Sequence, residues 1–272
     1  MNPDSTSTRW RLLRDGASSG AWNMAVDEAM LWAHARDLAP PTLRFYAWQP
    51  HCLSLGRLQK EWPRAATDAG FDIVRRPTGG RAVWHAREIT YCAVVRAELL
   101  PPEARSVAGA YRWLSDGFLS GLTRLGLPVE MAPTGVRTAG SNCFAASAGC
   151  DFVAEGKKLI GAAQFRQQDT ILQHGSLLLE VDEAQWAAFA GGPMAGATSL
   201  SALDSTLDAE VVTEALIAGF WEKAGGSWEN EKLSARETRL ANRLVEKYRD
   251  DAWTSQALVA PGLLEGIENA LK

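Results

Sequence analysis

Cysteine is scarce in this sequence, and the four that occur, Cys52, Cys92, Cys143 and Cys150, show neither C-x-x-C pairing nor companion histidines at zinc-finger distances. A structural metal is therefore not expected, and four free thiols in a reducing cytoplasm are. Long hydrophobic runs are also missing. No stretch approaches the roughly 20 apolar residues that a membrane helix requires, and the opening MNPDSTSTRW lacks the apolar segment of a secretory leader. A basic excess is absent too: the formal net charge is −4, which argues against a nucleic-acid partner. Repeats, low-complexity tracts and long linkers do not occur. With 46% apolar residues over 272 positions, one globular catalytic domain spanning 1–272 is the natural expectation.

What is present is a mixture of strand and helix patterns. Strands are predicted at 10–13, 42–48, 52–56, 71–76, 89–95, 129–131 and 170–179, from β-branched and aromatic content bounded by glycine and proline. Helical spacing occupies 22–33, 62–69, 107–125, 183–189, 209–224 and 235–248. Gly16 to Gly20 reads as a loop. Asn23, Asp27, Glu28 and His34 are expected on the solvent side of the first helix, and Glu237, Arg243, Glu246 and Lys247 on that of the last. The lack of regular βαβ alternation predicts an α+β fold, a mixed or antiparallel central sheet flanked by helices. Eleven scattered tryptophans fit core and rim packing.

Two stretches carry the chemistry. In Arg75-Arg76-Pro77-Thr78-Gly79-Gly80-Arg81-Ala82-Val83-Trp84-His85, the glycine pair permits a tight loop whose backbone can approach a ligand. Three arginines beside it suit a carboxylate or phosphate, or else flank an ordinary hairpin turn as solvated charges. The second stretch runs from Cys143 to Ser176. Phe152-Val153-Ala154 and Lys158-Leu159-Ile160-Gly161 read as hairpin strands joined by Glu155-Gly156-Lys157, placing Lys158 at a strand start. Gly175 interrupts the strand that follows, where a bulge or a close approach is expected. Cys143 is either a nucleophile or a small buried hydrophobe, and Lys158 either a catalytic cation or a solvated turn residue. His85 and His174 are candidate proton shuttles by residue type or structural hydrogen-bonding histidines.

Together these stretches resemble the biotin/lipoate A/B protein ligase family, from about Trp10 to Trp253. The likeness rests on Asn23 to Glu28, Thr42 to Tyr46, Arg75 to His85, Gly156 to Gln164 and Leu172-Gln173-His174-Gly175-Ser176, in that order. A cysteine followed by phenylalanine, fifteen residues before the hairpin lysine, is similar to the cysteine-dependent octanoyltransferase branch and puts the nucleophile at Cys143 rather than Cys150.

The resemblance implies a lipoate/biotin protein ligase-like catalytic domain that uses no cofactor. It implies transfer of octanoyl from octanoyl-acyl carrier protein to a lysine of a lipoyl domain, in a glycine cleavage H protein or a 2-oxoacid dehydrogenase E2. It assigns catalysis to Cys143 and Lys158, and substrate binding to Arg75, Arg76, Gly79, Gly80, Arg81, His85, Gln164, His174 and Gly175. The rivals are an ATP-dependent lipoate or octanoate ligase, an amidotransferase between lipoyl domains, and a silent acyl-binding protein. The ligases usually carry a further C-terminal domain, for which the stretch after Trp253 leaves no room; residues 254–272 have no counterpart in the resemblance.

Overall fold

Strand β1 (Arg9–Ser18) buries Trp10, Leu12 and Leu13 and runs on through Gly16, where a loop was expected. Ser19 then caps helix α1 (Gly20–His34), its hydroxyl accepting the backbone N–H of Trp22. The structure is a computed structural model, and it describes residues 8–60, 66, 70–132, 151–190 and 196–271. Most of the predicted helix at 62–69 lies outside the described residues, as do Cys143 and Cys150. Next come β2 (Thr42–Trp48), β3 (Cys52–Leu55), β4 (Asp72–Arg75), β5 (Val83–His85) and β6 (Glu88–Arg96). Helix α2 (Val107–Arg124) leads to β7 (Val129–Met131), β8 (Phe152–Ala154), β9 (Lys157–Gln167) and β10 (Thr170–Leu178). The remaining elements are α3 (Glu183–Ala190), α4 (Leu200–Leu203), α5 (Ala209–Ala224), β11 (Ser227–Asn230), α6 (Ala235–Arg249), α7 (Asp251–Gln256) and α8 (Leu263–Leu271).

The strands form a large sheet in the order β11-β1-β2-β6-β10-β9-β8-β7 and a small one, β4-β3-β5. Pairing is parallel from β11 through β1 to β2 and antiparallel from β2 to β7. This mixed sheet between helical layers is the α+β arrangement expected. Helices α2 and α5 cover one face over Phe45, Tyr91, Phe118 and Phe220. Helices α1 and α6 cover the other, over Met24, Val94, Leu172 and Leu244. Among the described residues no helix is long and apolar enough to cross a membrane.

The solvent face expected on α1 is instead buried. Asn23, Asp27, Glu28 and His34 are all buried, because the helix is wedged between the sheet and α6. Each polar group has a partner: Asp27 takes Arg44 at 2.8 Å, Glu28 takes Lys247 and Tyr248 at 2.6 Å each, and His34 Nε2 accepts the Arg96 N–H at 3.0 Å. Glu237 and Lys247 correct the expectation for α6 in the same way. Glu237 accepts both ends of the buried Arg11 guanidinium, at 2.8 and 2.5 Å, and completes a capping box with Ser234. Strand β11 escaped the sequence reading. The segment after Trp253 is partly helical, and α8 buries Ile267 against the α1–α6 core.

Candidate active site

The antiparallel register lines up one row of the large sheet as Tyr46, Thr90, Ser176 and Gly161, and the next as Arg44, Cys92, His174 and Ala163. Side chains alternate between the faces of a strand, so both rows look toward α1. There the small sheet brings up Ser54, Val83 and His85, and with Met24 of α1 they enclose a cleft whose floor is Gly161, Ala163, His174 and Ser176. Gly175 and Ala162 border it as well. A Cβ on Gly175 would stand 2.8 Å from Tyr91 Cε1 and 2.9 Å from Ala162 Cβ. Glycine is thus required for a close approach in a strand that is continuous, with no bulge. Gln164 sits one position out of phase, on the opposite face, donating to Gln173 Oε1 at 3.2 Å; of the candidates, Arg76, His85, His174 and Gly175 line the cleft, and Gln164, Arg75, Gly79, Gly80, Arg81 and Lys158 are not part of that lining.

Arg76 explains the shape of the glycine loop. Its guanidinium donates to Ser54 O and Oγ, to Thr78 Oγ1, and to the carbonyls of Gly79 and Arg81, at 2.7–3.1 Å. Arg75 acts on the other side, donating to the carbonyls of Gly56, Arg57 and Gln59 and to those of Trp253, Thr254 and Ser255. Both guanidinium groups are buried; Arg75 spends these donors on backbone carbonyls and Arg76 on three carbonyls and the Ser54 and Thr78 hydroxyls, so what they are seen to hold is the loop itself. Gly80 adopts a φ of 91°, and Gly56 lies so near that a Cβ on it would stand 1.9 Å from Gly80 O. Arg81 is half-buried at the loop's end.

Each cleft histidine sits between a carboxylate and a hydroxyl. His85, stacked on Trp48 at 3.9 Å between centroids, donates Nδ1–H to Glu88 Oε1 at 2.5 Å and has Nε2 2.7 Å from Ser54 Oγ. His174 donates Nδ1–H to Asp27 Oδ2 at 3.1 Å, and its Nε2 is 2.7 Å from Thr78 Oγ1. Burial holds the His174 pKa below the ordinary imidazole value, against the pull of Asp27. Burial would raise the Asp27 carboxyl, but its bonds to His174 and Arg44 outweigh this and hold it below the usual range. Arg76, donating to Ser54 and Thr78, joins the two chains.

Lys158 enters β9 directly after the tight turn at Glu155-Gly156, whose φ values of 51° and 74° suit a two-residue hairpin. Val153 pairs with Lys158 but Phe152 with Ile160, a slip of one residue that bulges the strand just after the lysine. Bulges of this kind re-aim a side chain. The Lys158 backbone is also gripped from outside, its N–H donating to Gly196 O at 2.7 Å and its carbonyl accepting from Thr198 N at 2.9 Å. The side chain is 2% exposed and its Nζ donates to Asp151 Oδ2 at 2.8 Å. Asp151 was missed by the sequence reading; an acidic residue just ahead of a short apolar strand carries no distinguishing signal.

This sheet, with a glycine loop over its α1 face and a buried lysine at a hairpin turn, is the fold of lipoate protein ligases. A structure of lipoate-protein ligase A bound with ATP superposes with a TM-score of 0.75 at 22% identity, over 93% of this chain and 100% of that one. The bi-partite lipoate protein ligase with its E2 lipoyl domain from Thermoplasma acidophilum gives 0.72 at 22%, over 93% and 98%. In sequence, residues 19–221 match the lipoyl protein ligase A/B catalytic domain, and the chain belongs to that family. Curated relatives include octanoyltransferase LipM of Kyrpidia tusciae, 41% identical over 90% of this chain and 97% of that protein. Octanoyltransferase LipM of Symbiobacterium thermophilum is 37% identical over 90% and 98%.

Proposed function

We propose that this chain is an octanoyltransferase of lipoate biosynthesis that moves octanoyl from octanoyl-acyl carrier protein to a lysine of a lipoyl domain, through a thioester on Cys143. The observation that carries the activity is identity of 37–41% with proteins named octanoyltransferase along nearly their whole length. The lining of the cleft is chemically suited to an acyl chain. Small residues line it, Gly161 and Ala163 on the floor and Ala162 and Gly175 at the border, and the polar groups beside them, His85 and His174, have their ring nitrogens engaged. A saturated polar wall offers an alkyl chain no unpaired group to desolvate.

In the first step the Cys143 thiolate attacks the octanoyl thioester carbonyl and the carrier thiolate leaves, taking up a proton. In the second, the ε-amine of the lipoyl-domain lysine attacks the acyl-enzyme, the amide forms, and Cys143 leaves as thiolate. Lys158 donates to the carbonyl oxygen as charge builds on it and favours the thiolate. The glycine loop, held by Arg75 and Arg76, closes over the acyl chain. Thioester exchange is nearly isoenergetic, so no nucleotide enters, and residues 1–272 act as one catalytic unit in the cytoplasm.

The test is to incubate the protein with octanoyl-acyl carrier protein and an unmodified lipoyl domain, without ATP, and to weigh the lipoyl domain. Octanoylation at one lysine is expected. Modification that needs ATP and free octanoate, and fails with the acyl carrier thioester, would replace the transferase reading with a ligase.

A further inference from the structure

The chain leaves β7 at Ala132 and returns at Asp151, where the Ala132 N–H donates to the Asp151 carbonyl at 2.8 Å and extends the β7–β8 pairing by one rung. Residues 133–150, with Cys143 among them, therefore begin and end at one closed point of the sheet edge. The side chain at that point is the Asp151 carboxylate, and Lys158 Nζ donates to it at 2.8 Å with both side chains 2–3% exposed. Main-chain bonds to Gly196 and Thr198 fix the lysine backbone, and the bulge after it sets its direction. The bond to Asp151 constrains the end of the four-carbon stem.

We propose that Asp151 is a positioning residue for acyl transfer, a role that rests on the octanoyltransferase reading. An ammonium has three N–H donors. When Asp151 Oδ2 takes one, the directions of the others are set, so a group facing the lysine meets an aimed donor instead of a mobile charge. The pair also alters what Lys158 contributes. A cation joined to a carboxylate is close to neutral as a unit, so its help to the thioester oxygen comes from a directed hydrogen bond more than from net positive charge.

The experiment compares the parent with Asp151→Asn, Asp151→Ser and Asp151→Glu, reading the rate and KM of octanoyl transfer from acyl carrier protein, alongside thermal melting to select folded variants. The expected result is a kcat lowered roughly 10- to 100-fold in whichever neutral variant folds, the scale of a misdirected catalytic group. KM for the donor stays within about twofold, and Asp151→Glu recovers most of the loss, because the carboxylate is what aims the donor. A folded neutral variant with parental kcat would overturn the inference and leave the transferase reading intact. An equal loss in all three with a raised KM would also overturn it, making Asp151 a structural residue. A parent that transfers no octanoyl would overturn both.

Discussion

Asp27 and His174 meet at 3.1 Å across the interface between α1 and the large sheet, both buried. The bond is one link in a chain that continues through Thr78 into Arg76 and the glycine loop, so the helix and the loop are coupled through an imidazole. Burial of that imidazole gives stability a pH dependence of definite sign. Both native pKa values are lowered, Asp27 by its partners against burial and His174 by burial. The unfolded chain therefore binds protons that the native one does not, and stability is complete above the ordinary histidine pKa and lost as pH falls below it. His34, lowered by burial, adds to the same trend.

The melting temperature should accordingly fall as pH goes from 7.5 to 5. In His174→Gln it should start lower, by about 1–3 kcal/mol of stability, and fall less steeply over that interval. Parallel slopes in parent and variant would contradict a His174 pKa lowered by burial.

Arg76 supplies a planar fork to acceptors on three sides of the loop, and an ammonium cannot reproduce that geometry. Arg76→Lys should cost about 3 kcal/mol in urea denaturation and lower octanoyl transfer. A loss under about 1 kcal/mol would show that the loop holds its shape without the fork.

Gly175 has no room for a methyl group between Tyr91 and Ala162. Gly175→Ala must push β9 from β10 beside the cleft, and should cost roughly 2 kcal/mol while raising KM for the octanoyl donor. Unchanged KM would mean that Ala162 and Gly175 do not bound the acyl site.

Trp253 donates Nε1–H to the Arg75 carbonyl at 2.7 Å, while Arg75 donates back to the carbonyls of residues 253–255. Trp253→Ala should therefore cost about 4 kcal/mol and loosen the loop from behind. Denaturation melts check the first effect, and transfer activity of the folded variant the second.

The strands were legible wherever aromatic and branched residues cluster, as in Thr42–Trp48 and Thr170–Leu178. The hairpin that starts Lys158 was legible from Glu155-Gly156. Burial of charge was not. Asp27, Glu28, Glu237 and Lys247 carry the pattern of a solvated face, and only the partners Arg44, Tyr248 and Arg11, distant in sequence, reveal them as interior. Arg75 and Arg76 read either as anion ligands or as solvated flanks of a turn, because a sequence does not show which backbone carbonyls will converge on a guanidinium. Asp151 gave no signal, since its meaning depends on the fold that brings its carboxylate to Lys158 Nζ. Cys143, located by its spacing from Lys158, lies outside the described residues.

The central claim is a covalent octanoyl-enzyme on Cys143. It is tested most directly by the intact mass of the protein after mixing with octanoyl-acyl carrier protein in the absence of ATP, for the parent and for Cys143→Ala. The account predicts a gain of one octanoyl group on the parent and none on the variant. An adduct that persists in Cys143→Ala, or a parent that gains nothing yet modifies a lipoyl domain once ATP and free octanoate are supplied, would contradict it.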